Sequence, residues 1–191
     1  MSPIKDKSEI VTPQQKYLAM FKEIRDGGLR AAPQVVGQWE SLQAIVDSGA
    51  TVPVIPLATG LEYEAVEGEA MRNNVKYEIA DGSRIPNMGE KLLPVVTQEG
   101  TLRGYSTQVA DVSRPLQSVR HLYKTGHLTV FDGPDSFILN KVSGEVNQIM
   151  DDGTNYLMNM VIVPKSELNQ VIEQASMQQQ QASQGFHGQV Q

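Results

Sequence analysis

Between residues 39 and 164, short runs rich in Val, Ile, Leu and Tyr are broken repeatedly by turn signals: Asp81-Gly82, Glu99-Gly100, Asp132-Gly133-Pro134, Ser143-Gly144 and Asp152-Gly153. A chain punctuated at this spacing is too interrupted for long helices. It predicts a mainly β domain built from hairpins. Val75, Tyr77 and Ile79 alternate with charged residues or Ala, the pattern of a strand with one solvated face. One stretch, 118–124, carries Val119, Leu122 and Tyr123 at helical spacing and predicts a single short internal helix.

The flanks have a different texture, which divides the chain into 1–38, 39–164 and 165–191. In the first segment Thr12-Pro13-Gln14-Gln15 opens like a helix. Thr12 can accept from an orphan N–H, Pro13 suits the first turn, and Gln15 completes a capping box. Tyr17, Leu18, Met20, Phe21 and Ile24 follow at helical spacing until Gly27-Gly28, giving an amphipathic helix expected to pack on the domain or its partner. In the last segment Ser166 can cap a short helix with Leu168, Val171, Ile172 and Ala175 on one face. After Glu173 no Asp, Glu, Lys or Arg occurs, and Gln178 to Gln181 form an unbroken run. The expectation for that tail is disorder.

Composition excludes several kinds of chemistry. The chain has no Cys, which removes disulfides, a thiol nucleophile and Cys-ligated metal. The three His residues (His121, His127, His187) lack metal-ligand spacing, so no metal and no cofactor are expected. With 16 Lys+Arg against 22 Asp+Glu the formal net charge is -6, which argues against a phosphate-backbone partner. The first residues lack the apolar core of a signal peptide, and no apolar run nears a bilayer span. No nucleic acid and no membrane are expected as partners, and the setting expected is the cytoplasm or a virus-like particle.

One segment carries chemistry: Leu42-Gln43-Ala44-Ile45-Val46-Asp47-Ser48-Gly49-Ala50-Thr51. An apolar strand ends in an acid, followed by a hydroxyl residue, a glycine and a small residue. Gly49 lets backbone N–H groups approach the Asp47 carboxylate with no Cβ in the way. Ser48 can bond to a neighbouring loop, and Ala50 leaves room for a substrate side chain. Asp, Ser and Gly are also ordinary turn formers, so a plain strand-to-turn transition has the same composition. Met150, Met158 and Met160 read as core filler, Trp39 as a core or interface anchor, and His121 and His127 as structural or solvent-exposed.

The stretch Ala44-Ile45-Val46-Asp47-Ser48-Gly49-Ala50-Thr51 resembles the active-site strand of retropepsin-like aspartic proteases. Three later segments are similar to the copia-type retrotransposon branch: Ile79-Ala80-Asp81-Gly82-Ser83, Pro115-Leu116-Gln117-Ser118-Val119-Arg120-His121-Leu122, and Gly126-His127-Leu128-Thr129-Val130-Phe131 with Asn140-Lys141-Val142-Ser143-Gly144. The likeness covers 39–164. Retropepsin-like chains usually carry a second apolar-apolar-Gly signature; the corresponding stretch here, Val109-Ala110-Asp111-Val112, has no glycine.

The resemblance implies a closed retropepsin-like β domain and peptide-bond hydrolysis with Asp47 as the catalytic acid. Ser48, Gly49 and Thr51 would support its loop. Ala50, Ile79, Ala80, Asp81 and Gly82 would contact an extended polypeptide substrate. Aspartic proteolysis needs two carboxylates and the chain has one Asp-Ser-Gly, so a homodimer is implied. Asp111 is an in-chain alternative for the second acid, but it lacks the Ser-Gly that would shape its loop. A hairpin must cover the substrate: 75–91 is the first candidate and the 100–104 loop the second. Two other readings stand beside a polyprotein-processing protease. One is a catalytically silent dimerisation and peptide-binding domain, the other a structural module of a retroelement particle.

Overall fold

Strand β2 (Trp39–Asp47) alternates buried and half-buried residues along its length, with Leu42, Ala44 and Val46 facing inward. In the computed structural model, which describes residues 35–36 and 39–187, β2 is paired along both edges. On one side it meets β13 (Tyr156–Ile162), antiparallel, from Ile45↔Leu157 to Glu40↔Ile162. On the other it runs parallel to β8 (Leu116–Ser118). The circuit continues through β3 (Val54–Ile55), β7 (Leu102–Val109) and β6 (Glu90–Thr97), and β6 returns to β13. Six strands therefore close on themselves, which leaves no open edge in the wall. The short strand β1 (Val35–Val36) pairs with the start of β2, and β12 (Met150–Asp151) with the start of β13.

The barrel is filled by Leu42, Ala44, Ile55, Leu93, Val95, Tyr105, Val109, Met160 and Ile162. Two smaller apolar clusters adjoin it. Trp39, Val96, Val161 and Val163 pack under Val171 of the C-terminal helix α3 (Leu168–His187). Val46 packs with Leu122 of α2 (Val119–Lys124), with Ile149, and with Ile138 of β10 (Phe137–Asn140). Strand β10 is central to a small antiparallel sheet with β9 (His127–Val130) and β11 (Val146–Gln148). A separate hairpin joins β4 (Lys76–Glu78) to β5 (Arg84–Pro86). The mainly β class and the closed barrel are plain; the internal helix begins after Ser118.

Three expectations change. A second internal helix, the single turn α1 (Glu69–Arg72), was not legible, since four residues show no period. Helix α3 runs to His187 where a short helix and a disordered tail were expected. Gln, Ala and Met all favour helix, which suits continuation of the helix beyond its packed first turns. Ile172 is exposed and Ala175 half-buried, while Leu168 and Val171 pack against the cluster of Trp39, Val96, Val161 and Val163. The amphipathic stretch 12–24 lies outside the described residues.

A buried charge network closes the barrel end remote from Asp47. Glu40, on the inward side of β2, accepts from the Gly60 N–H through both oxygens (3.0 and 2.9 Å). Lys91, only 3% exposed, donates to the carbonyls of Thr59 (2.8 Å), Leu57 (3.0 Å) and Gly60 (3.4 Å). The loop after β3 is thus pinned by one half-buried acid and one buried ammonium. Burial pushes the Glu40 carboxyl above its ordinary value of 4.5, with the Gly60 N–H and the Lys91 charge pulling back. Burial likewise pushes Lys91 down, against the Glu40 charge. A raised folded-state value means that the Glu40 contribution is complete below the ordinary value and is lost as pH rises through the raised one. The stability of the wild-type protein relative to Glu40→Gln should therefore be greater at about pH 4.5 than at about pH 7.5. Urea titrations of both proteins at the two pH values check this; a difference that grows with pH would refute the assignment.

Candidate active site

Asp47 is the last residue of β2, and its position is fixed by backbone on both sides of the loop that follows. The β2–β8 register places Asp47 opposite Ser118, after Val46↔Gln117 and Ile45↔Leu116, with the Ile45 N–H donating to the Pro115 carbonyl at 2.9 Å. After the loop, β3 pairs with β8 at Val54↔Leu116 and with β7 at Val54↔Gln108. The Gln108 N–H holds the Pro53 carbonyl at 2.9 Å. The turn that carries Asp47 is therefore clamped where it leaves one barrel strand and where it enters the next.

Inside the loop, the Gly49 N–H donates to Asp47 Oδ1 at 2.7 Å. A Cβ built at Gly49 would meet that same oxygen at 3.3 Å, a tight approach that glycine avoids. Among the described residues Asp47 Oδ2 accepts no hydrogen bond, and the side chain is half-buried, so one oxygen is held and the other is open. Ser48, Gly49 and Thr51 are exposed and Ala50 is half-buried.

Ser118, fully buried, supplies the hydroxyl that ties the loop down. Its Oγ donates to the Ala50 carbonyl at 2.6 Å and accepts from the His121 N–H at 3.0 Å, so one side chain caps α2 and straps the loop. Ser118 thus supports the loop from within the chain, while Ser48 is exposed on its surface. Val109 ends β7, Asp111 is exposed in the connection beyond it, and the strand that enters α2 beside the Asp47 loop is Leu116–Ser118.

The two hairpins expected as candidate covers are distinct in kind. The 100–104 loop joins β6 to β7, which pair from Glu90↔Gln108 to Val96↔Leu102 as barrel wall. The hairpin β4–β5 is its own two-stranded sheet, largely exposed, with Ile79, Ala80, Asp81 and Gly82 at its tip. There Gly82 takes φ +82°, its N–H donates to the Ile79 carbonyl at 2.8 Å, and the Ile79 N–H donates to the Ser83 carbonyl at 3.0 Å. The Ser83 hydroxyl and N–H hold the Asp81 carboxyl below its ordinary range, so Asp81 shapes the turn.

Sequence reading missed the anchor of this hairpin. Asn87, 8% exposed, donates through Nδ2 to the Tyr77 hydroxyl (2.8 Å) and to Gln108 Oε1 (2.7 Å) and accepts from the Gly89 N–H (2.8 Å). Because Gln108 also holds Pro53, the hairpin base and the Asp47 loop share one residue of β7. Nothing in the sequence marks Asn87 beyond a turn-forming residue near a glycine. Trp39 is a core residue, Met160 is buried in the barrel, and Met158 packs against it.

No cluster of three or more metal-ligating side chains occurs among the described residues, and no described helix is long and apolar enough to cross a membrane. Comparison with family models, with curated proteins and with solved structures found no match.

Ser118→Ala removes a helix cap and leaves the Ala50 carbonyl without its donor. It should cost about 1–2 kcal/mol. The loss should be concentrated at the loop, so hydrogen exchange of the Gly49 and Ala50 amides should accelerate more than that of the Leu42 and Ala44 amides. Uniform acceleration would mean that Ser118 supports the fold and not the loop.

Proposed function

We propose that this chain is an aspartic endopeptidase of retropepsin type, active as a two-fold homodimer on extended polypeptide. The observation that carries the reading is a carboxylate at the end of a doubly paired barrel strand, with one oxygen held by the Gly49 N–H and the other open. Peptide hydrolysis by carboxylates needs a pair that shares one proton. The ionised member takes a proton from water while the neutral member polarises the scissile carbonyl. The Asp47-Ser48-Gly49 motif occurs once, so the second carboxyl comes from Asp47 of a second copy related by a two-fold axis. The exposed β4–β5 hairpin, tied through Asn87 and Gln108, is the element that can close over a bound peptide and exclude water. Its backbone can extend the substrate as an added strand. The natural substrate on this reading is a retroelement or virus-like polyprotein.

Asp47→Asn keeps the shape of the side chain and removes the ionisable pair. It should abolish cleavage of a longer precursor containing this chain while leaving the melting temperature within a few degrees. Wild-type activity should pass through a maximum on the acidic side of neutrality, because the pair works with one proton on it. Gel analysis of precursor processing across pH decides between outcomes; wild-type cleavage by the Asn variant would end the assignment.

A further inference from the structure

The small β9–β10–β11 sheet is patterned in reverse. An antiparallel sheet packed on one side normally turns its apolar residues to the core and its polar ones to water. Here the register sets Thr129, Ile138 and Asn147 side by side on one face, with His127 opposite Asn140. Ile138 packs with Val46 and Leu122, and His127, Asn140 and Asn147 line a cavity of about 350 Å³ against the barrel, so this largely polar face points inward. The opposite face carries Leu128 and Val130 of β9, Phe137 and Leu139 of β10, and Val146 of β11. Leu128 is 45% and Val146 47% exposed, and the other three are half-buried. None of the five belongs to the three apolar clusters of the described residues. A continuous apolar face turned to solvent marks a docking surface.

The size of the face selects its occupant. Three strands about 4.8 Å apart and four residues long make a face of roughly 14 by 14 Å, on the order of 200 Å². Two folded copies in a stable interface each bury about 800 Å². A second copy therefore finds too little here to stay. A helix, about 10–12 Å across with its side chains, fits the width. A segment tethered to the same chain also starts at an effective concentration in roughly the mM range, so a small contact suffices.

Outside the described residues lie 1–34, 37–38 and 188–191, and of these only 1–34 holds an apolar stripe: Tyr17, Leu18, Met20, Phe21 and Ile24. A helix as short as 12–24 is marginal in water on its own and needs a face to lie on. The described chain starts at Val35, opposite Glu40 near the start of β2, while the small sheet packs through Ile138 on Val46 near the other end. The nine residues of β2 span about 30 Å. The tether 25–34, which includes Gly27-Gly28, covers up to about 36 Å when extended, so it reaches. We propose that segment 12–24 docks as a helix on the outer face of the β9–β10–β11 sheet, its apolar stripe against Leu128, Phe137, Leu139 and Val146. The docked segment covers the layer that backs Val46, one residue before Asp47. This contact does not depend on whether the chain cleaves peptides.

The chain has no Cys, so a single one introduced by Lys22→Cys, beside the stripe, carries a nitroxide label without background. Amide signals of the 15N-labelled full chain are compared with the label oxidised and reduced. Expected is a loss of about half the intensity or more at Leu128, Leu139 and Val146. Little loss is expected at other exposed apolar positions, Leu61 and Leu92 or Ile172 and Met177. Phe21→Asp in the labelled chain should restore the three signals about twofold, and Leu128→Asp should do so from the sheet side, because each buries a charge in the contact. A mixture of labelled 14N chain with unlabelled 15N chain should show no loss. The proposal is overturned by full intensity at the three positions, by loss centred on the other apolar positions, or by no response to either Asp variant. Equal loss in the mixed sample would overturn it too, by giving the face to a second copy.

Discussion

Strand β2 is the keystone of this fold because it alone is hydrogen-bonded to both β13 and β8, and so turns an open sheet into a closed wall. The constraint has two ends. At its start, Glu40 meets Gly60 and the Lys91 network closes that end of the barrel. At its finish, the parallel pairing with β8 stops at Asp47↔Ser118. A carboxylate placed there inherits the rigidity of the whole wall. What the loop adds is local: one N–H on Oδ1 and one serine strap.

Ser118 bonds across the strand-to-helix junction, with an oxygen that donates to the loop and accepts from the helix. This couples α2 to the Asp47 loop, and through α2 couples the small sheet and the cavity behind it. The hairpin couples on the other side of the loop, through Asn87, Gln108 and Pro53. The loop is thus flanked on both sides by short polar contacts, through Ser118 and through Gln108.

The parts of the structure legible in the sequence were those set by near neighbours. Asp81-Gly82 and Asp152-Gly153 mark turns because each glycine takes positive φ beside an Asp whose carboxylate accepts a local N–H, with Asp151 serving Gly153. The internal helix was legible through Ser118 and the apolar spacing after it. The parts not legible depend on partners far along the chain. Leu116–Ser118 is three residues long, too short for a period, and exists as a strand because Ile45, Val46 and Asp47 lie beside it. Lys91 sits inside a barrel because a loop some thirty residues earlier turns its carbonyls inward. Asn87 looks like a loop residue and is a buried junction. Ser48 stands exposed, while the serine that bonds the loop to α2 lies 70 positions later in the chain.

The central claim is that two copies of Asp47 form one working site, and subunit mixing tests it most directly. Wild-type chain is held at constant concentration while Asp47→Asn chain is added, the two are allowed to exchange, and cleavage of a reporter peptide is followed. If each site needs a carboxyl from both copies, heterodimers are inactive. With equal amounts of the two chains, activity per wild-type chain then falls to about half of that without the variant, and it keeps falling as the variant is added. Activity per wild-type chain that stays constant at every ratio, in a mixture shown to exchange subunits, would contradict the account.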